Sequence, residues 1–310
     1  MGNFIGHKEI LDNLIKRIKK EEISHAHIIV GEDGIGKSSL AKILASNILE
    51  VDVEKESIDI INYRLKKASF GVDEVRAIIS EINKKPYEGD KKVIIIHKGE
   101  KLTVQAQNAL LKTIEEPPKG VFIILLCESL ELILDTIKSR CEIHKLSPLK
   151  SYDISLYGSK FLDVYSKEEI DTAVAYSQGI PGKLEEFLKD ENLKTLRNTL
   201  IELLNIISKG DINEVLQFEN KILSYKDKKD ELFNILTSLI RDIIIYKEIN
   251  NLSGIINIDK IDNLKELSIE MSYKKLNKIV EKINECRLSL SKNSSFSLTI
   301  RVMLIGIMEV

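Results

Sequence analysis

The sequence predicts an α/β domain built on a parallel sheet, followed by a small helical domain and then a larger all-helical one. Three observations carry this. Short β-branched runs alternate with longer helical patterns through the first half, as a sheet covered on both faces requires. The glycine-rich segment Gly31-Glu32-Asp33-Gly34-Ile35-Gly36-Lys37-Ser38-Ser39 follows one of those runs and opens a helix. Beyond Pro148 the strand signals stop and only helical periodicity remains, so the chain divides as residues 1–148, 149–190 and 191–310.

Ile10, Leu11, Leu14, Ile15 and Ile18 recur at helical spacing, with Lys16, Arg17, Lys19 and Lys20 on the opposite side. This is an amphipathic opening helix whose basic side is a solvated face. Strands are predicted near Ile28–Val30, Ile58–Ile61, Val93–Ile96, Val121–Leu126 and Ile143–Lys145, and helices near Lys37–Leu49, Asp73–Lys84 and Val104–Glu115. Thr103 caps the last of these helices and Pro117-Pro118 ends it. Lys150 to Asp190 reads as helical around the turn Gly179-Ile180-Pro181-Gly182-Lys183. In the last third, Leu232, Ile235, Leu236, Leu239, Ile240 and Ile243 form one apolar stripe, and Leu276, Ile279, Val280 and Ile283 another. A helical bundle buries such stripes, and periodicity alone does not divide its core from an interface.

The glycine-rich segment fills every position of the G-x-x-x-x-G-K-[ST] pattern, with strand, loop and helix in the required order. Gly31, Gly34 and Gly36 let successive backbone N–H groups turn inward, and the helix start adds its dipole, so the loop is predicted to bind phosphate. Lys37 is placed to reach the β- and γ-phosphates and Ser38 to offer a hydroxyl to Mg²⁺, with Ser39 beside them. ATP or ADP is the expected ligand. Hydrolysis also needs a second strand ending in carboxylates. After Val93-Ile94-Ile95-Ile96 those positions hold His97 and Lys98. An imidazole is a poor ligand for hard Mg²⁺ and an ammonium repels it. Glu100, two positions on, is expected to point elsewhere, so Mg²⁺ is held weakly if at all and turnover is very slow or absent.

Several segments in order resemble the delta-prime subunits of bacterial DNA polymerase III clamp loaders, within the AAA+ superfamily. They are Phe4-Ile5-Gly6-His7, His25-Ala26-His27, Val72-Asp73-Glu74-Val75-Arg76, the block from Gln105 to Pro118, Ser139-Arg140-Cys141, and Gly179 to Lys183. Weaker matches are Arg241-Asp242 and the stretch from Asn293 to Leu304. The resemblance implies an AAA+ nucleotide-binding domain, a helical lid and an all-α collar for oligomerisation. It also implies that Arg140 is an arginine finger acting across a subunit interface; an isolated reading leaves it a solvated arginine. Lys183 stands where the superfamily places a γ-phosphate sensor, and equally reads as a solvated lysine at a helix start. The implied partners are tau/gamma and delta subunits in a heteropentamer, with the sliding clamp and primed DNA reached through the complex. Whether Gln105, Gln107 or Lys112 touches DNA stays open.

Composition fits without deciding. Lys and Arg total 46 against 48 Asp and Glu, a formal charge of −2, so no global basic field draws the chain to nucleic acid. No apolar stretch is long enough to span a membrane and no charged-then-apolar leader precedes the first helix, so a cytoplasmic protein is expected. Three widely separated cysteines, Cys127, Cys141 and Cys286, make neither a disulfide framework nor a C-x-x-C metal site. Related subunits often carry a four-cysteine zinc module after the phosphate-loop helix; the stretch from Glu50 to Ile58 has no cysteine, so no zinc and no metal ligand set is expected. A catalytically active tau/gamma-like ATPase is the alternative, and would be expected to hold carboxylates at positions 97 and 98. An unrelated P-loop regulator would make the Gln105 to Pro118 and Ser139-Arg140-Cys141 blocks coincidental.

Overall fold

The computed structural model describes residues 4–309 apart from 65–68, 70, 162, 253 and 293. Asn293 therefore lies outside the described residues. Contacts divide the chain into two compact units, residues 1–157 with 178–182, and residues 158–177 with 183–310. The stretch 149–190, read from the sequence as a lid, is shared between them.

The first unit is a five-stranded parallel sheet in the order β2-β3-β4-β1-β5, formed by β1 (Ala26–Val30), β2 (Ile60–Tyr63), β3 (Lys92–Ile96), β4 (Val121–Cys127) and β5 (Glu142–Lys145). β1 and β3 are buried at every residue, which the apolar runs Ile28–Val30 and Val93–Ile96 anticipate and the buried His27 and Lys92 do not. Helices α1 (Lys8–Lys19) and α2 (Lys37–Leu49) cover one face, where Leu14, Leu40 and Leu44 meet Ile29, Ile95 and Ile124. On the other face α3 (Val72–Ile82), α4 (Val104–Glu115) and the short α5 (Asp135–Lys138) bury Ile78, Leu110 and Ile137 against Ile28, Ile94 and Leu125.

The second strand starts two residues later than its apolar run suggests. Ile58 is exposed, while Asp59 is buried and accepts hydrogen bonds from Tyr87 N (2.7 Å) and Glu88 N (2.9 Å). The carboxylate ties the strand's entry to the loop before β3, so regular pairing begins only at Ile60. Elsewhere the predicted ends hold closely; Thr103 Oγ1 accepts from Ala106 N at 3.2 Å and caps α4.

After α6 (Ser151–Gly158), the helices are α7 (Lys167–Ser177), α8 (Pro181–Lys189), α9 (Glu191–Lys209), α10 (Ile212–Leu223), α11 (Lys229–Ile249), α12 (Ile261–Glu270), α13 (Tyr273–Ser291) and α14 (Phe296–Met308). The stripe on α11 is buried throughout, as are Leu276, Ile279 and Ile283 on α13. A polar network that no periodicity announces joins these helices. Asp242 Oδ2 accepts from Ile256 N and Asn257 N, and from Asn257 Nδ2 at 2.8 Å. Arg197, 2 % exposed, donates to both oxygens of Asp259 (2.8 and 2.7 Å) and to Asn257 Oδ1 (2.9 Å), and its guanidinium lies over the Phe187 ring. Among the described residues no helix is long and apolar enough to cross a membrane.

Candidate nucleotide pocket and an exposed arginine

The glycine-rich loop leaves β1 at its carboxyl end, the edge where open parallel sheets hold their ligands. Gly36 precedes α2 at φ 109°, a conformation side chains rarely adopt. Gly34 faces a second glycine, for Gly182 N donates to Gly34 O at 2.9 Å and a Cβ on Gly182 would lie 2.5 Å from Gly34 Cα. The segment 178–182 is thus pinned to the phosphate loop by two backbones in contact, with Ile180 buried beside Ile35. Sequence reasoning credited the loop's glycines and missed this partner.

A cleft of 280 Å³ opens beside the loop, lined by Asp33, Lys37, Ser38, Arg64, His97, Lys98, Glu100, Leu126, Cys127 and Glu128. Lys37 and Ser38 therefore reach it as expected, while Ser39, in the same turn of α2, is exposed and outside the lining. Lys37 Nζ donates to Gly31 O (2.7 Å) and Glu32 O (2.8 Å). Burial lowers its pKa, opposed by Asp33, Glu128 and Glu100. His97 and Lys98 stand at the end of β3 as predicted. His97 Nε2 lies 3.0 Å from Asn62 Oδ1, and burial, then the Arg64 charge, lowers its pKa, so the ring is neutral at pH 7.

Glu100 corrects the sequence reading, because it points into the cleft. Lys98 adopts a left-handed conformation, φ 57°, and turns the chain back directly after β3; Gly99 then packs so closely on Leu125 that a Cβ would lie 2.6 Å from it. The reversal carries Glu100 to the end of β4, where its Oε2 accepts from Glu128 N at 3.2 Å. Glu128 itself went unnoticed, though its position just past an apolar strand at the sheet's carboxyl edge was the available signal. The lining thus mixes three cationic side chains, Lys37, Arg64 and Lys98, with three carboxylates, Asp33, Glu100 and Glu128.

Arg140 follows α5 and lies outside this lining. Its side chain is 39 % exposed, pairs with Glu115 at 2.5 Å and donates to Thr136 O at 2.9 Å. Gln107 answers part of the open question about α4. It is buried, donates to Leu102 O (3.1 Å) and Leu132 O (2.8 Å), and accepts from Leu134 N (2.8 Å). It therefore fastens the loop that leads into α5 and Arg140, and is a structural residue; Gln105 and Lys112 are exposed on the same helix. Cys127 and Cys141 are thiols, their pKa values pushed up to about 12 by burial. Lys183 belongs to the second unit, in the first turn of α8.

A parallel sheet with a phosphate loop at its carboxyl edge, followed by an all-helical region, is an AAA+ architecture. Residues 6–150 match the family described as DNA polymerase III, delta subunit, and residues 191–305 match its C-terminal counterpart. The chain belongs to this clamp-loader family. It is 25 % identical to a replication factor C small subunit of Methanococcus maripaludis over 100 % of this chain and 96 % of that one. It is 29 % identical to DNA polymerase III subunit gamma of Buchnera aphidicola, covering 81 % of this chain and 67 % of the relative. Against subunit tau of Bacillus subtilis the identity is 25 %, over 91 % of this chain and 56 % of the relative. In fold it resembles a gamma subunit-related protein of Thermotoga maritima, with a TM-score of 0.54 at 19 % identity over 96 % of this chain and 98 % of that one.

Proposed function

We propose that the chain is a delta-prime-type clamp-loader subunit, a ring member that binds ATP or ADP without hydrolysing it and presents Arg140 to the nucleotide of a neighbouring tau/gamma-type ATPase. The observation that carries this reading is the exposure of Arg140. A planar, permanently charged guanidinium suits the charge spread over a transferring phosphoryl group. Its partner Glu115 is also exposed, and a phosphate replaces such a carboxylate without leaving a buried charge behind. His97 and Lys98 support a silent pocket, since an imidazole holds Mg²⁺ poorly and an ammonium both repels the ion and takes no proton from water. In this reading Lys183 senses phosphate from the lid, and the collar joins tau/gamma and delta subunits in a heteropentamer. That cytoplasmic assembly opens the sliding clamp on primed DNA.

The test is a reconstituted loader carrying Arg140→Ala. The complex is expected to assemble normally by size-exclusion chromatography while DNA-stimulated ATP turnover falls by about 10³, the scale of an arginine finger. Unchanged turnover removes the role.

A second reading, a catalytically active tau/gamma-like ATPase, is favoured by Glu100 and Glu128. Either carboxylate is of the type that holds Mg²⁺ or orients water. The purified chain alone separates the readings. The first expects no measurable hydrolysis; the second expects about 1 s⁻¹, within the ordinary enzyme range, abolished by Glu100→Gln.

A further inference from the structure

The buried edge of the sheet where β1 and β5 pair holds a cluster that the nucleotide site does not use. His27 of β1 lies opposite Glu142 of β5 in the parallel register, and His144 follows two residues later on the same face. His27 Nδ1 is 3.0 Å from His144 Nε2 and 3.9 Å from Glu142 Oε2, and His144 Nε2 is 4.0 Å from Glu142 Oε1. One ligand atom from each residue falls within 4.8 Å of the others. His27 is fully buried and His144 8 % exposed, while Glu142 keeps a path to solvent.

We propose that His27, Glu142 and His144 form a binding site for a divalent transition-metal ion, Zn²⁺ by preference. The hydrogen bonds set the donor atoms. His27 Nε2 lies 2.8 Å from Ser24 O, and a carbonyl only accepts, so Nε2 carries the proton and Nδ1 presents a lone pair. That is the outer-shell arrangement that fixes a ligating histidine. A bond from His144 Nε2–H to His27 Nδ1 would satisfy the two rings by themselves. It does nothing for Glu142 Oε2, which is shielded from water and has no hydrogen-bond partner although a buried acceptor is costly to leave unsatisfied. A cation between the three satisfies all of them, with His144 in its Nδ1–H tautomer, so that binding releases no net proton.

Size and chemistry agree. Ligands about 2.1 Å from a tetrahedral zinc lie roughly 3.4 Å apart, and the two distances from His27 Nδ1, 3.0 Å to His144 Nε2 and 3.9 Å to Glu142 Oε2, straddle that value. Two imidazoles with one carboxylate is a zinc donor set that keeps a fourth position for water. Arg17 pairs with the other oxygen of Glu142 and donates to Glu22 O, so it orients the carboxylate and offsets its charge. Without an excess of negative charge the site disfavours Mg²⁺ and Ca²⁺, which need oxygen ligands, and favours an ion that imidazole binds well. The expectation of no metal rested on cysteine spacing, which does not bear on a cluster drawn from strands far apart in sequence.

The full-length chain, freed of metal by a chelator, is titrated with Co²⁺ and followed by visible absorption. The proposal expects intense bands of low-coordinate Co²⁺ that saturate at one ion per chain and vanish when one equivalent of Zn²⁺ is added. His144→Gln and Glu142→Gln, both close in shape to the originals, should each weaken binding by at least about 10-fold while circular dichroism stays unchanged. A wild-type chain that develops no such bands, or variants that bind as well as it does, overturns the proposal. Should a variant misfold, X-ray absorption of the wild-type complex decides: imidazole scattering supports the site, and an all-oxygen shell defeats it.

Discussion

Two arginines of this chain are paired with carboxylates in opposite ways. Arg197 in the helical unit is 3 % exposed at its side chain and grips both oxygens of Asp259, with Asn257 and Asp242 completing the network. Arg140 in the sheet unit is 39 % exposed and meets Glu115, itself 42 % exposed, through a single close contact. Both are ion pairs, yet breaking them has different consequences. Removing a partner from a buried pair strands a charge where water cannot reach it, whereas an exposed pair exchanges its partner for solvent at little cost. The buried arginine is committed to the fold, and the exposed one is available to a ligand from outside.

The comparison breaks most readily at Arg197. Replacing it with alanine leaves Asp259 and Asn257 without their donor and is expected to cost about 3–5 kcal/mol, the range for a disrupted buried ion pair. Urea denaturation followed by circular dichroism measures it. A loss below about 1 kcal/mol would place Arg197 in the same energetic class as Arg140 and erase the distinction.

Gln107 is the intermediate case, a neutral group buried on the path to Arg140. Gln107→Ala leaves the Leu134 N–H and two carbonyls without their side-chain partner, with an expected loss of about 1–3 kcal/mol for the unsatisfied groups. The loop from Leu130 to Leu134 would loosen and α5 with it, so hydrogen exchange should quicken there first. Exchange that quickens uniformly over the sheet instead would make Gln107 a general core residue and not a tether for Arg140.

How much of this was legible follows the range of the forces involved. The strands and α2 and α4 could be read because burial and helix propagation are decided by neighbours along the chain: β3 is apolar at four consecutive positions, and Thr103 caps within its own turn. The phosphate loop was legible for the same reason. Asp59 was not, since its hydrogen bonds go to a loop 28 residues on. Glu100 was misread because its direction depends on the left-handed backbone of Lys98, and nothing about a lysine announces a positive φ. Asp242 was noticed as part of a motif, but its work, organising the chain at Ile256 and Asn257, appears only after the helix has folded back. Gly182 was seen as half of a turn, and its contact with Gly34 needed the tertiary fold.

The smallest effect expected is the most informative about Arg140. Glu115→Gln removes the negative charge facing the guanidinium and keeps a hydrogen-bond acceptor of the same length. An exposed pair contributes about 0–1 kcal/mol, so the midpoint of urea denaturation should scarcely move. If Arg140 serves a neighbouring nucleotide, Glu115 competes with the phosphate for the same guanidinium, and neutralising it should leave DNA-stimulated turnover of the reconstituted loader intact or raise it a few-fold. If Glu115 is instead the residue that holds Arg140 in its working orientation, the same substitution lowers turnover toward the Arg140→Ala level while stability again stays put. Stability alone therefore does not separate these cases, but the direction of the rate change does, because a competitor and a positioning residue act with opposite sign on the same guanidinium. A large loss of stability from Glu115→Gln would refute both, since it would mean that the pair is buried in its energetics despite its exposure.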